Sequence, residues 1–213
     1  MFIAFEGIDG SGKTTQAKRL RAHLRKLDYG VVLVEEPGGT PVGEAIRSIL
    51  KDAKHEMDAL TELLLYEASR SQLVRQIIKP ALAKDKIVIA DRYALSSLAY
   101  QGYGRGLNLK LIEKLNEIAT DGLEPDFIFL LDIPPREALK RRQGRSLKGL
   151  NDRMEQEALS FHERVREGFL KLGSKCKSPK SRVLLIDGMK RPEQIFREVL
   201  RALHAGARLK LDL

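Results

Sequence analysis

The chain has 213 residues, 43% hydrophobic and 31% charged, with a formal net charge of +9 and a pI near 9.6. No apolar run approaches the roughly 18 residues of a membrane span, the lone Cys176 excludes an internal disulfide, and the four scattered histidines give no metal-ligand spacing. A single cytoplasmic domain over residues 1–213 is therefore expected, without a signal peptide because Glu6 interrupts the apolar start, and the basic balance leaves a nucleic acid or a polyanionic small substrate as partner.

Five short apolar runs, Phe2 to Phe5, Val31 to Val34, Ile87 to Ala90, Phe127 to Leu131 and Val183 to Ile186, alternate with longer stretches of helical period. Continuous apolar strands separated by helices predict an α/β chain with a five-stranded parallel sheet and helices on both faces. In the first helix Ala17, Leu20, Leu24 and Leu27 share one face, and Asp28-Tyr29-Gly30 ends it. Thr40 and Pro41 suit the N-cap and first turn of a short helix through Leu50. A longer helix is expected from Leu60 to Leu82, ended or kinked by Pro80. Others are expected near Leu109–Ala119, Pro135–Arg142, Met154–Leu172 and Glu193–His204. The helix expected over Met154–Leu172 carries an apolar face of Met154, Ala158, Phe161, Val165, Phe169 and Leu172.

Between the first strand and helix lies Gly7-Ile8-Asp9-Gly10-Ser11-Gly12-Lys13-Thr14, the pattern G-x-x-x-x-G-K-[ST] in its required strand, loop, helix setting. Its glycines let backbone N–H groups converge on phosphate oxygens, Lys13 reaches the β and γ phosphates, and the Thr14 hydroxyl ligates Mg2+. The N-terminus of the following helix, from Ser11 to Thr15, adds favourable dipole charge. Strand three ends in Asp91, a carboxylate suited to Mg2+ held through water, and its neighbour Arg92 suits a second phosphate. No Asn-Lys-x-Asp stretch of a guanine reader occurs. A fixed cation beside the metal suggests a phosphorylated acceptor.

Taken together, Phe5 to Gln16, Glu36-Pro37-Gly38-Gly39-Thr40-Pro41, Tyr66-Glu67-Ala68-Ser69-Arg70, Asp91-Arg92-Tyr93 with Ser96, Tyr100-Gln101-Gly102 and Asp152-Arg153-Met154-Glu155 closely resemble the thymidylate kinases, from Met1 to about Leu203. The resemblance implies the P-loop kinase fold, a short lid at about 143–150, a homodimer, and Mg2+-dependent transfer of the γ-phosphoryl of ATP to dTMP. It further implies that Tyr66 stacks on the thymine and Arg70 bonds its exocyclic oxygen. Asp9 lies by the 3′-hydroxyl and incoming phosphate, and Tyr100 fills the space of a ribose 2′-hydroxyl. Ser97 lies near the base, Gln101 belongs to the substrate site, Pro37 follows a cis peptide where a trans bond is the default, and Arg142 stacks on adenine. Since the loop carries Gly10 where some relatives carry arginine, the lid supplies the catalytic arginine: Arg145, with Arg153 next. Glu35 departs from the arginine that many bacterial relatives place there, which puts a phosphate contact from this position in doubt.

Physically, such a reaction needs cations rather than a strong base, because the attacking group is already anionic; each like-charge pair costs about 1 kcal/mol at 4 Å in water. Lys13, Arg92, Mg2+ and the basic segment Arg136 to Arg153 provide them. The alternatives are a kinase of another nucleoside monophosphate and a nucleic-acid-binding ATPase module, which the low aromatic content of 6% disfavours.

Overall fold

The computed structural model describes residues 1–143, 153–154, 156–175 and 181–206, without the side chains of Arg142, Gln143 and Lys175. The expected lid and Arg145, with Asp152 and Glu155, lie outside the described residues, as does the Arg142 side chain.

Strands β1 (Phe2–Glu6), β2 (Val31–Glu35), β3 (Ile87–Asp91), β4 (Phe127–Asp132) and β5 (Arg182–Asp187) form one parallel sheet in the order β2-β3-β1-β4-β5. The central strand is wholly buried because it has a strand on either side and helices on both faces, so every residue of Phe-Ile-Ala-Phe-Glu is covered. Edge strands β2 and β5 are only partly covered. Ile3 and Phe5 pack with Leu20 and Leu24 of α1 (Lys13–Lys26) and with Val199 and Leu203 of α9 (Pro192–Gly206). Phe2 and Ala4 face the other way, toward Leu73, Val74 and Ile78. Each large apolar side chain so buried contributes about 1.5–3 kcal/mol.

The Thr40 hydroxyl caps α2 (Pro41–Lys51), accepting from Gly43 N–H at 2.9 Å. Helix α3 (Ala59–Leu73) continues through a π-helical turn, Val74–Ile78, into α4 (Lys79–Leu82). Pro80 has no N–H to give and its ring crowds the preceding turn, so the widened turn just before it absorbs the mismatch.

Two elements differ from expectation. Helix α5 (Ala94–Ser97) runs on as a π-helical segment, Leu98–Gly104, ahead of α6 (Leu109–Thr120), where no helix was expected. Gly104 is required there because a Cβ would lie 2.6 Å from Phe161 of α8 (Leu159–Lys175). Helix α8 begins at Leu159, five residues later than Met154, because Arg153 N–H bonds the Lys51 carbonyl and ties that stretch to the end of α2. Met154 is nonetheless buried, with Phe161, Val165 and Phe169.

The carboxyl ends of β1, β2 and β3 are level, since Asp91 pairs with both Phe5 and Glu35. The loops after these strands therefore open at one edge, where ligands collect in such sheets.

Candidate active site

The loop from Gly7 to Lys13 turns with positive φ at Gly7 (134°), Gly10 (84°) and Gly12 (101°), conformations that favour glycine. Gly12 also precedes α1, so the loop delivers the chain to a helix N-terminus with Thr14 and Thr15 in its first turn. Ser11 N–H bonds the Ile8 carbonyl at 3.2 Å, and Ser11 is fully buried within the turn. A Cβ at Gly10 would lie 2.6 Å from the Ala138 carbonyl oxygen of α7 (Pro135–Gln143). The loop is thus pressed against backbone, and a longer side chain at position 10 is sterically excluded.

Lys13 is buried and donates to the Ile8 carbonyl at 2.9 Å. Burial, then the charge of Arg92, lowers its pKa to about 8. The Thr14 hydroxyl donates to Asp91 Oδ2 at 2.5 Å, so the two expected metal ligands share one spot. Two oxygen donors at the rim of a phosphate cavity fit a hard cation that keeps most of its waters.

Arg92 follows β3 with φ of 76°. Its guanidinium donates to Asp9 (2.5 Å), the Tyr100 hydroxyl (3.0 Å), the Gly7 carbonyl (3.0 Å) and Ser96 Oγ (3.1 Å), leaving its Nε–H without a partner among the described residues. Tyr100 in turn donates to Asp9 Oδ2 at 3.0 Å while Phe161 and Phe169 fix its ring. Burial opposes ionisation of Asp9, yet Arg92 and Lys13 hold its carboxyl well below the usual carboxylate range. The Arg92 loop is itself anchored by Glu6, which accepts from Tyr93 N–H (2.9 Å) and from both Ser96 N–H (3.3 Å) and Ser96 Oγ (2.6 Å).

Arg70 is not a surface group: at 1% exposure it donates to Glu36 (2.7 Å), Glu67 (2.6 Å), Ser97 (2.9 Å), Asn116 (2.6 Å) and the Tyr93 carbonyl (3.2 Å). Burial, with Glu67 nearby and Arg70 opposing, pushes the Glu36 carboxyl up to about 7. The Glu36–Pro37 peptide is cis, as the resemblance implies and against the sequence default.

Two cavities meet at this edge. One is lined by Gly10, Gly12, Lys13, Thr14 and Asp91. The other is lined by Pro37, Tyr66, Arg70, Ser97, Tyr100 and Gln101. Asp9, Glu35, Glu36 and Arg92 line both. The structure thus brings most of the expected residues it describes to one edge, with Lys13 and Thr14 at one end and Tyr66 and Arg70 at the other, while Gly7, Ser11 and Thr15 line neither cavity.

Arg153, expected as a catalytic cation, is also outside both. Its guanidinium donates to the Leu50 carbonyl at 3.3 Å and pairs with Glu62 at 2.5 Å, and it lines neither cavity, so in this structure it anchors the chain beside the second one. Arg47 was missed: it lines the second cavity, donating to the Pro37 carbonyl at 2.6 Å and to Glu35 at 2.5 Å. The signal for it was Glu35 itself, an acid in the strand end that requires a partner. Among the described residues no group of three or more His, Cys, Asp or Glu is placed to hold a metal, so a cation here relies on phosphate and water for most of its ligands.

A model of the family described as thymidylate kinase matches residues 5–199. The thymidylate kinase of Caldanaerobacter subterraneus subsp. tengcongensis is 50% identical, covering 94% of this chain and 93% of that relative. The thymidylate kinase of Kosmotoga olearia is 47% identical, with 94% of each chain covered. The crystal structure of thymidylate kinase from Ehrlichia chaffeensis is similar with a TM-score of 0.76 at 37% identity, covering 95% of this chain and 98% of that one. With the family model spanning most of the chain and both cavities formed by the motifs that carry the resemblance, the chain belongs to the thymidylate kinase family.

Proposed function

We propose that this protein transfers the γ-phosphoryl group of ATP to dTMP, giving dTDP and ADP. The observation that carries the reading is the junction of the two cavities at Asp9 and Arg92, which supports a phosphorylated acceptor and a donor polyphosphate meeting end to end. An acceptor phosphate oxygen forms the new bond to the γ-phosphorus, and the bond to the β–γ bridging oxygen breaks with its electron pair passing to ADP. Tyr66 and Arg70, four residues apart on α3, both line the acceptor cavity, which supports joint action on the base. Thr14 and Asp91 would hold Mg2+, which when bound neutralises charge on the β and γ phosphates.

Gly10, crowded by Ala138, supports the assignment of the catalytic arginine to the lid, with Arg145 as its source. Loss of kcat on Arg145→Ala with dTMP binding retained is the expected result. One sheet holding all five strands, with the described helices packed on it or on one another, supports a single domain. Exposed Val42 and Ile49 of α2, Leu60 and Leu64 of α3, and Leu111 and Ile118 of α6 support a homodimer across these three adjacent helices. No described helix is long and apolar enough to cross a membrane, in keeping with a cytoplasmic enzyme.

The test is ADP release with a panel of dTMP, dUMP, UMP, CMP, AMP and GMP. The reading expects dTMP to be preferred; rapid turnover of another acceptor with little of dTMP overturns it. DNA affinity that exceeds dTMP affinity and falls steeply with salt would favour the nucleic-acid-binding alternative.

A further inference from the structure

Glu62 of α3 is fully buried and belongs to neither cavity. Its Oε1 accepts from Gln101 Nε2 at 2.7 Å and from Arg105 Nε at 3.3 Å; its Oε2 accepts from Arg105 Nη2 at 3.1 Å and pairs with Arg153 at 2.5 Å. Burial works against its charge, but hydrogen bonds from Arg105 and Gln101 and the two arginine charges hold its carboxyl below the usual range.

An ionised carboxylate only accepts hydrogen bonds. The Gln101 amide, 1% exposed, therefore has one permitted orientation, with its NH2 toward Glu62 and its oxygen turned away. Gln101 lines the acceptor cavity, and its Oε1 takes no hydrogen bond among the described residues. What it presents to a ligand is an acceptor. Thymine and uracil carry a donor at N3–H, whereas cytosine carries a lone pair at that position.

We propose that Glu62 is a specificity-determining positioning residue: by locking the Gln101 amide with its oxygen toward the acceptor cavity, it selects N3–H pyrimidines and rejects cytosine. This rests on the assignment of that cavity to a pyrimidine monophosphate. A site whose buried acceptor faces a lone pair discriminates strongly, because neither group finds a partner. Replacing Glu62 with glutamine removes the lock, since an amide gives as readily as it accepts and lets Gln101 turn over.

The experiment compares kcat/KM for dTMP and dCMP in wild type, Glu62→Gln and Glu62→Asp. Wild-type turnover of dTMP decides the acceptor reading first and separately. Given that, the dTMP to dCMP preference is expected to fall at least about tenfold in Glu62→Gln, and to stay within about threefold of wild type in Glu62→Asp, which keeps the carboxylate. Equal losses on both substrates in both variants would mean a merely structural role and would overturn the proposal. Should Glu62→Gln fail to fold, the charge-balanced double variant Glu62→Gln with Arg153→Gln takes its place. A crystal structure of the wild type with dTMP tests the same point independently: Gln101 Oε1 at N3 sustains the proposal, and an amide turned away from Glu62 refutes it.

Discussion

Arg70→Met tests how one buried cation is shared between acceptor binding and stability. In the native protein the guanidinium, at 1% exposure, answers Glu36 and Glu67 together, along with Ser97, Asn116 and the Tyr93 carbonyl. Glu36 Oε1 and Glu67 Oε2 already have no hydrogen-bond partner, so removal of the cation leaves two carboxyl groups, 4% and 5% exposed, with little else to satisfy them. Breaking a buried pair in this way costs about 3–5 kcal/mol. At about 2–4 °C per kcal/mol for a chain of this size, Tm is expected to drop by roughly 6–20 °C. The pH dependence has a definite sign. Burial raises the Glu36 carboxyl from its usual 4.5 to about 7 even with Arg70 present, and losing the cation raises it further. The stability such an acid contributes is whole below about pH 4.5 and is lost as pH climbs through the raised folded-state value. The variant's deficit is therefore smallest near pH 5 and largest above pH 7. Thermal and urea unfolding at pH 5, 6.5 and 8 measure it. A Tm within about 2 °C of wild type at pH 8, or a deficit that does not grow with pH, would refute the shared-cation account.

Three further outcomes concern the phosphate loop and the sugar site. Because burial holds Lys13 near 8 and incoming phosphates restore its charge, ATP binding at pH 9 is expected to take up about one proton; calorimetry in buffers of different ionisation enthalpy reads this, and buffer-independent heats would contradict it. Gly10→Ala, at φ of 84° and against the Ala138 carbonyl, is expected to cost about 1–3 kcal/mol and to raise KM for ATP; an unchanged Tm would show that the loop yields. Tyr100→Ala is expected to increase activity toward UMP relative to dUMP, since Phe161 and Phe169 fix the native ring. An unchanged ratio counts against steric exclusion of the 2′-hydroxyl.

The sheet was legible because its strands are short continuous apolar runs, and the Thr40-Pro41 start of α2 because capping chemistry is local. The phosphate loop was legible for the same reason: three glycines, a lysine and a threonine hold their geometry within eight residues. Less legible was the helical stretch Ala94 to Gly104, whose Gly102 and Gly104 weaken the helical signal but serve close packing against Leu109 and Phe161. The start of α8 depended on a bond from Arg153 N–H to the Lys51 carbonyl, a contact across more than a hundred residues that no local pattern carries. Most residues that line the two cavities were marked by motif, Arg47 and Lys51 being exceptions. Glu6 and Glu67 lie in those motifs but their holding role was not legible, because an acid in a motif gives no sign of whether it faces a cavity or another side chain, and Glu62 lies in none.

Arg47 and Glu35 show how far net charge misleads about a site. The chain carries +9, yet the donor phosphate cavity is lined by two cations, Lys13 and Arg92, against four carboxyl groups, Asp9, Glu35, Glu36 and Asp91. Arg47 engages Glu35, and Arg92 is already engaged by Asp9. As it stands this cavity has no surplus of positive charge with which to receive a polyphosphate and an acceptor phosphate together. The missing charge must arrive with the ligands or from elsewhere in the chain. Mg2+, where Thr14 and Asp91 would hold it under the proposed function, would bring two units. The segment Arg136 to Arg153 holds seven lysines and arginines against two acids, and is the nearest concentrated reserve in the sequence. A cavity with this charge balance attracts anions only weakly by itself.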